Sequence, residues 1–243
     1  MSALPLLIQY VYNSALETLY ITNTNLITFF YFLFTAEWET LKTDDGKSLL
    51  QHFYEDKARW SYTFQNCAIL TRLVAIQNAI KTTKKKVIIT ERSLLTDRFV
   101  FAEMLNDSGD LNAMEWALYR KWFDNFAVNL PIKAVIHVTT SVDTSASRII
   151  CRNREGESGI PTEYLDALDK QHYKWLDNTD MPVLRLSTDV GIDVMDNIDK
   201  IRQFVHGPHV LNDAAPIKEA SDAIKMAPSP FTMNKQVVPV ETL

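Results

Sequence analysis

The sequence predicts an α/β fold in which a parallel β-sheet is flanked by helices. Three apolar runs, 87–90, 132–139 and 182–186, have the length and β-branched content of buried strands. A stretch with helical periodicity separates each run from the next. This alternation is typical of parallel sheets, because a parallel connection needs a long crossover that a helix usually supplies.

The composition fits one globular domain and excludes several classes of function. With 243 residues, 47% of them hydrophobic, the chain can bury one substantial core. A net charge of −5 gives no basic field for a nucleic-acid backbone, so we expect no nucleic-acid partner. The apolar run 26–34 is too short to span a membrane, and two cysteines form no disulfide framework. We therefore expect a cytoplasmic protein without a membrane partner.

Three segments of the chain differ in composition. Residues 1–34 contain one charged residue, Glu17, and no glycine, and their apolar residues follow no steady period. Residues 35–205 have the periodicity of a folded domain. Residues 206–243 hold five of the nine prolines and almost no aromatic residue, which is typical of a flexible tail.

Helical periodicity identifies the elements between the strands. The expected helices are 47–54, 58–81, 94–105, 111–128, a helix that begins near residue 143, 161–177 and 192–205. In the helix over 111–128, four large apolar residues recur at helical spacing, and we expect them to pack in the core. They are Met114, Leu118, Trp122 and Phe126. In the strand over 132–139, we expect His137 to be a hydrogen-bonded imidazole in the core or at an edge.

The strand over 87–90 ends in an acid, a base and a hydroxyl, Glu91-Arg92-Ser93. In open α/β sheets, ligands bind beyond the carboxyl ends of the strands, so Glu91 and Arg92 are expected at a site. A solvated strand end is the alternative that these residues alone leave open.

Arginines form a second candidate constellation. Arg148 and Arg152 lie four residues apart on one helical face, and Arg154 follows in a segment that two glycines close. Three guanidiniums on one segment suit a clamp for phosphate groups. The spacing leaves open whether they instead pair with the neighbouring Glu155 and Glu157.

Two further motifs depend on context. Gln65 and Arg72 lie two helical turns apart on one face, and the spacing leaves open whether that face meets solvent or a ligand. Gly46-Lys47-Ser48 matches only the end of the phosphate-binding motif G-x-x-x-x-G-K-[ST]. The required first glycine falls on Leu41, and no strand precedes it, so we expect Lys47 to be a loop lysine.

Taken together, the segments 53–65, 91–101 and 148–164 resemble the deoxynucleoside kinases in residue type, spacing and order. The resemblance covers about residues 37–190. It implies a P-loop kinase-like, three-layer α/β fold and transfer of a phosphoryl group from ATP, with Mg²⁺, to the 5′-hydroxyl of a deoxynucleoside. It also implies a homodimer that forms through helices flanking the sheet.

The resemblance implies roles for individual residues at the nucleoside. Tyr54 and Glu157 would hold the sugar 3′-hydroxyl, and Gln65 would pair with the edge of the base. Arg72 and Asp97 would set base choice, in the manner of the deoxycytidine and purine branch of the family.

Further roles concern the pocket walls and the phosphates. Trp38 and Phe101 would line the nucleoside pocket. Glu91 would help to hold Mg²⁺, and Arg92 would lie near the attacking 5′-oxygen. Arg148, Arg152 and Arg154 would form a lid over the ATP phosphates.

The N-terminal region departs from the family pattern. The family begins with a strand and a glycine-rich phosphate loop, but this chain has no glycine before Gly46, so we expect both to be missing or replaced. The family's Glu-Pro, which supplies the general base, falls on Leu33 and Phe34. The composition change near Thr35 leads us to the hypothesis that residues 1–34 are not the family's N-terminus, as after a frameshift, a wrongly assigned start or decay of the gene.

These departures predict a very poor kinase, since a positioned general base alone contributes about 10²- to 10⁴-fold. Two alternatives follow. The first is a non-catalytic relic that binds nucleosides or dimerises with an intact kinase. The second is a nucleoside monophosphate kinase, which would need a further basic site that Arg92 and Arg98 alone could hardly make.

Overall fold

The residues that the structure describes form a five-stranded parallel sheet. The structure is a computed structural model, and it describes residues 6–12, 27–30, 38–127, 130–153, 160–189 and 194–208. In chain order the strands are β1 (Leu6–Tyr12), β2 (Ile27–Phe30), β3 (Val87–Glu91), β4 (Ile132–Thr139) and β5 (Val183–Ser187). Their order across the sheet is β2-β3-β1-β4-β5. The predicted α/β class with a parallel sheet is therefore confirmed.

Helices connect the strands as the periodicity predicts. They are α1 (Leu49–Glu55), α2 (Lys57–Thr82), α3 (Leu94–Thr96), a π-helical segment (Asp97–Ala102), α4 (Glu103–Asp107), α5 (Ala113–Phe126), α6 (Val142–Arg152), α7 (Thr162–Leu176) and α8 (Val194–Val205). Side-chain caps fix several starts: Ser48 forms a capping box with Gln51 at α1, and Asn112 does so with Glu115 at α5. No helix in these described ranges is long and apolar enough to cross a membrane.

A strand fills the first position of the sheet, so the expectation that this strand is missing is wrong, whereas its replacement by residues outside the family pattern stays a prediction. β1 lies between β3 and β4, with Tyr10 opposite Glu91 and Tyr12 opposite Val138. Central strands of parallel sheets read as apolar runs without alternation, so the absence of a period in residues 1–34 does not exclude a strand. The pairing brings the carboxyl ends of β1, β3 and β4 to one edge of the sheet.

Helices α2 and α5 both contribute residues to the core, but the face of α5 that is buried is not the face that the sequence predicts. Tyr119 and Phe123 pack with Ile69 and Ile76 of α2 and with Ile88 of β3. The predicted core residues of α5 are instead 44 to 76% exposed: Met114, Leu118, Trp122 and Phe126. The helix carries two apolar faces, and helical spacing alone cannot tell which of them meets the core.

His137 lies in the core as predicted, but the expectation of a hydrogen-bonded imidazole is wrong. Neither ring nitrogen has a hydrogen-bond partner among the described residues. Its ring stacks on His172 at a centroid separation of 5.8 Å. Burial lowers the pKa of His137 to about 4 and the pKa of His172 to about 3. Both imidazoles are therefore neutral in the folded protein at neutral pH.

This pair of histidines makes the free energy of unfolding depend on pH. Both pKa values lie below the unfolded value of 6.5, so the unfolded state binds more protons between about pH 6.5 and 4. We expect the free energy of unfolding in urea to fall as the pH drops through this window. His137→Phe should reduce the slope by up to about 1.4 kcal/mol per pH unit. The exposed His206→Gln is the control, and equal slopes for His137→Phe and wild type would contradict the account.

Candidate active site

The carboxyl end of β3 turns sharply after Glu91. Arg92 has φ +56°, in the left-handed region that residues other than glycine rarely adopt. Two contacts hold this turn: Thr90 Oγ1 donates to the Arg92 carbonyl at 2.9 Å, and Ser93 Oγ accepts from the Leu95 amide at 3.1 Å. Strained backbone held by its surroundings is common at functional sites.

The charged side chains of Glu91 and Arg92 at this turn make few contacts with other described residues. The Glu91 side chain is half-buried, and its carboxylate has no hydrogen bond or ion pair with another described residue. The Arg92 guanidinium lies 5.1 Å from the ring centroid of Phe101. Its Nε is buried without a hydrogen-bond partner in the described ranges. The resemblance implied that Glu91, Arg92 and Phe101 share one site, and Arg92 and Phe101 do lie together.

Arg72 and Asp97 form a buried ion pair between α2 and the π-helical segment. Arg72 Nε lies 2.8 Å from Asp97 Oδ2, and both side chains are 3% exposed. The approach lacks the alignment of a good hydrogen bond, because neither atom satisfies hydrogen-bond geometry. Burial lowers the pKa of Arg72 and raises the pKa of Asp97, and their mutual attraction opposes both shifts. The pair is thus held by charge and by the surrounding packing.

Gln65 lies on the same face of α2 as Arg72, and this face is buried. Its side chain is 2% exposed, and Oε1 has no hydrogen-bond partner among the described residues. The solvent-exposed alternative for these two residues is therefore wrong. Nearby on α2, Thr71 Oγ1 accepts a hydrogen bond from Trp38 Nε1 at 3.2 Å, and Trp38 packs edge-on against Phe64. Trp38 is therefore fixed as a buried wall beside α2.

Tyr54 at the end of α1 neighbours a residue that the sequence reasoning left without a role, Tyr164 on α7. Burial and the nearby Tyr54 raise the pKa of Tyr164 to about 12, and Arg92 opposes the shift. Lys57 Nζ lies 4.7 Å from the centroid of the Tyr164 ring. Tyr164 lies in the segment 148–164 that carried the resemblance, but no spacing rule marks it as a wall of the site.

The predicted arginine clamp is described only in part. Arg148 donates to the Thr188 carbonyl oxygen at 2.7 Å and to Thr188 Oγ1 at 3.3 Å, which ties α6 to the end of β5. Arg152 lies half-buried in the last turn of α6. Arg154 and Glu157 lie outside the described residues. The convergence of three guanidiniums on one ligand stays a prediction.

The partial match at Gly46-Lys47-Ser48 is a turn, as predicted. Lys47 Nζ pairs with Glu55 at 2.5 Å, and Ser48 caps α1. Gly46 has φ +83°, which suits a glycine in a tight turn. None of these three residues lies at the end of a described strand, so this segment is not a phosphate loop.

Comparison with known proteins decides the family. The family model described as deoxynucleoside kinase matches residues 23–207. This chain belongs to the deoxynucleoside kinase family. The match begins upstream of β2 and includes the end of β3, the Arg72–Asp97 pair and helices α6 and α7.

Individual members of the deoxynucleoside kinase family give the same result. The chain is 34% identical to deoxycytidine kinase 1 of Xenopus laevis over 194 residues, covering 70% of this chain and 73% of the relative. It is 34% identical to deoxycytidine kinase of Homo sapiens over 188 residues, covering 68% and 72%. It is 30% identical to the mitochondrial deoxyguanosine kinase of Xenopus laevis over 176 residues, covering 69% and 64%.

The Arg72–Asp97 ion pair should contribute to the stability of this deoxynucleoside kinase family member. Removing one partner leaves an uncompensated buried charge, so Asp97→Ala should lower the free energy of unfolding in urea by about 3–5 kcal/mol. The matched control is Asp166→Ala, because the Asp166–Lys170 pair has side chains 49 and 74% exposed and exposed pairs contribute little. Equal effects of the two substitutions would show that burial does not govern the pair.

Proposed function

We propose that this deoxynucleoside kinase family member binds a deoxynucleoside against α2, the π-helical segment and the end of β3, and transfers a phosphoryl group only poorly. One observation carries the binding proposal. Gln65 presents a buried, unpaired carbonyl oxygen on the same face as the buried Arg72–Asp97 pair. Buried polar atoms without partners are rare in folded proteins, and a bound ligand is one way to satisfy them.

The chemistry of these three side chains fits a base with an exocyclic amino group. The Gln65 carbonyl and the Asp97 carboxylate accept hydrogen bonds, whereas the Arg72 guanidinium donates them. Cytosine and adenine offer an amino group next to a ring acceptor, and guanine offers ring acceptors for the arginine. Deoxycytidine or a purine deoxynucleoside is therefore the proposed partner.

The remaining roles follow the family resemblance. We assign Trp38 and Phe101 to the pocket walls, and Tyr54 and Glu157 to the sugar 3′-hydroxyl. Arg92 would face the 5′-oxygen, which fits its buried, unpaired Nε. We also propose that helices cover both faces of the sheet, as in a three-layer P-loop kinase fold. Neither Cys67 nor Cys151 forms a disulfide in the described part of the chain, which supports the proposed cytoplasmic location.

Mg²⁺ fits the site better than ATP does. The unpaired Glu91 carboxylate suits Mg²⁺, which binds through one or two carboxylates together with substrate phosphates. When bound, the ion neutralises charge on the transferring phosphoryl group. ATP, in contrast, needs backbone amides and a lysine beyond β1. After β1 ends at Tyr12, residues 13–37 contain no glycine, lysine or arginine. We therefore derive no phosphoryl-transfer step for this chain.

These observations bear differently on the two alternative functions, a non-catalytic nucleoside-binding protein and a nucleoside monophosphate kinase. A non-catalytic nucleoside-binding protein is supported by the same observations, because Gln65, Arg72 and Asp97 share one buried region whereas residues 13–37 contain no glycine, lysine or arginine. A nucleoside monophosphate kinase fits less well, because Arg98 is occupied: its Nη1 pairs with Glu103 at 2.6 Å. That arginine is not available for an acceptor phosphate.

The first prediction from this proposal separates binding from turnover. The protein should bind deoxycytidine in calorimetry, whereas the amount of phosphorylated product formed from ATP should stay close to that of a blank. Gln65→Leu should weaken deoxycytidine binding by about 10-fold or more, because the base edge loses a buried partner. Gln77→Leu, at an exposed position of the same helix, is the control. Turnover at the rate of an ordinary kinase, about 1–100 per second, would contradict the proposed impairment.

We further propose that the exposed apolar face of α2 and α5 forms the homodimer. An apolar groove runs between the two helices, with Leu70 and Leu73 on one side and Trp122 and Phe126 on the other. The rings of Trp122 and Phe126 lie 4.8 Å apart, yet both side chains are about half exposed. Extended apolar patches of this kind mark interaction sites.

A charge placed on this apolar face should change the oligomeric state of the protein. Trp122→Glu should convert a dimer into a monomer in light scattering coupled to size-exclusion chromatography, because a charge would be buried in the apolar contact. Ile150→Glu, on the exposed face of α6, should leave the dimer intact. A monomeric wild type at micromolar concentration would exclude the proposed dimer.

A further inference from the structure

Tyr119 of α5 is a buried residue to which the resemblance gives no role. Its side chain has no exposed surface, and it packs with Ile69 of α2, with Leu94 of α3 and with Ala102 at the end of the π-helical segment. The ring therefore lies between the two elements that carry Arg72 and Asp97. The phenol oxygen has no hydrogen-bond partner among the described residues.

An unpaired hydroxyl in this position is unusual, because buried hydroxyl groups nearly always find a partner. Apolar packing would be served equally well by phenylalanine. Burial and the nearby Asp97 raise the pKa of Tyr119 well above its ordinary value. The hydroxyl thus keeps its proton over the whole working pH range and can only act as a neutral donor or acceptor.

Asp97 Oδ2 has no hydrogen-bond partner among the described residues. Three groups from the elements packed around Asp97 interact with it electrostatically: Arg72 of α2, Arg92 at the end of β3, and Tyr119 of α5. Arg98, the next residue along the chain, interacts electrostatically with Tyr119, but its guanidinium pairs with Glu103. Buried ion pairs are stable only when further hydrogen bonds satisfy the remaining lone pairs of the carboxylate. Arg72 Nε lies 2.8 Å from Asp97 Oδ2, but the two atoms do not meet hydrogen-bond geometry.

We propose that Tyr119 is a positioning residue for base recognition: in the nucleoside complex its hydroxyl donates to the Asp97 carboxylate and keeps that group ionised. The ionised carboxylate then accepts a hydrogen bond from the amino group of the base. The inference rests on the proposed function, because it needs the base to meet Asp97. In this proposal, Tyr119 lies outside the pocket and sets the protonation state of Asp97, which lies inside it.

The test is deoxycytidine binding by calorimetry between pH 5 and 8 with wild type, Tyr119→Phe and Ser61→Ala. Ser61 is the matched control, since its hydroxyl is also fully buried without a partner among the described residues and has no place in the proposal. We expect Tyr119→Phe to bind about 10- to 100-fold more weakly at pH 7, because a hydrogen bond to a charged group is lost. Its loss of affinity in acid should also begin at a higher pH, since the carboxylate loses a donor that favours the ionised form.

The outcomes separate this inference from the proposed function. Unchanged affinity and an unchanged acid limb in Tyr119→Phe, with normal binding by wild type, would overturn the role of Tyr119 alone. An equal loss in Ser61→Ala would also overturn it, because the effect would then reflect any buried hydroxyl. Absence of deoxycytidine binding by wild type would overturn both the proposed function and the inference. Because Tyr119→Phe removes one atom, its thermal unfolding should stay close to that of wild type and exclude misfolding as a cause.

Discussion

The buried ion pair of Arg72 and Asp97 organises the region in which we propose that the nucleoside binds. Two charges with 3% exposure lose most of their hydration, and that loss exceeds their mutual attraction unless other polar groups help. A protein that needed only stability would be served as well by apolar residues of the same volume. The pair instead holds a donor and an acceptor at fixed positions between α2 and the π-helical segment, on the face of α2 that also carries Gln65. The Gln65 carbonyl oxygen has no hydrogen-bond partner among the described residues, and the proposed recognition of a polar base would use all three side chains.

The fold and the chemistry make different demands on the N-terminal region. A central parallel strand requires a short run of residues that tolerate burial on both sides, and Leu6–Tyr12 meets that requirement. A phosphate loop requires glycines that let backbone amides approach the phosphates, and a lysine that reaches them. Residues 13–37 contain neither. The parallel sheet of this deoxynucleoside kinase family member therefore forms although residues 13–37 contain no glycine or lysine.

The sequence predicted those parts of the molecule that depend on local pattern. The strands over 87–90 and 132–139 and the long helix α2 could be predicted because burial on both faces and helical periodicity leave a direct signal. β1 could not, because its position in the sheet is decided by pairing with β3 and β4 and not by its own period. The exposure of Trp122 and the unpaired imidazole of His137 depend on which neighbours are present in three dimensions. Residue types and order indicated Gln65, Arg72 and Asp97, whereas Tyr119 and Tyr164 emerged only from burial and neighbouring charge.

We propose that this chain keeps the nucleoside half of the site and lacks the phosphate loop of the other half. The most direct test is a crystal structure of the protein grown with both deoxycytidine and a non-hydrolysable ATP analogue. The account predicts electron density for the nucleoside in contact with Gln65, Arg72 and Asp97, and none for a triphosphate beyond the carboxyl end of β1. An ordered triphosphate at that end of β1, or a nucleoside bound away from Gln65, would contradict it.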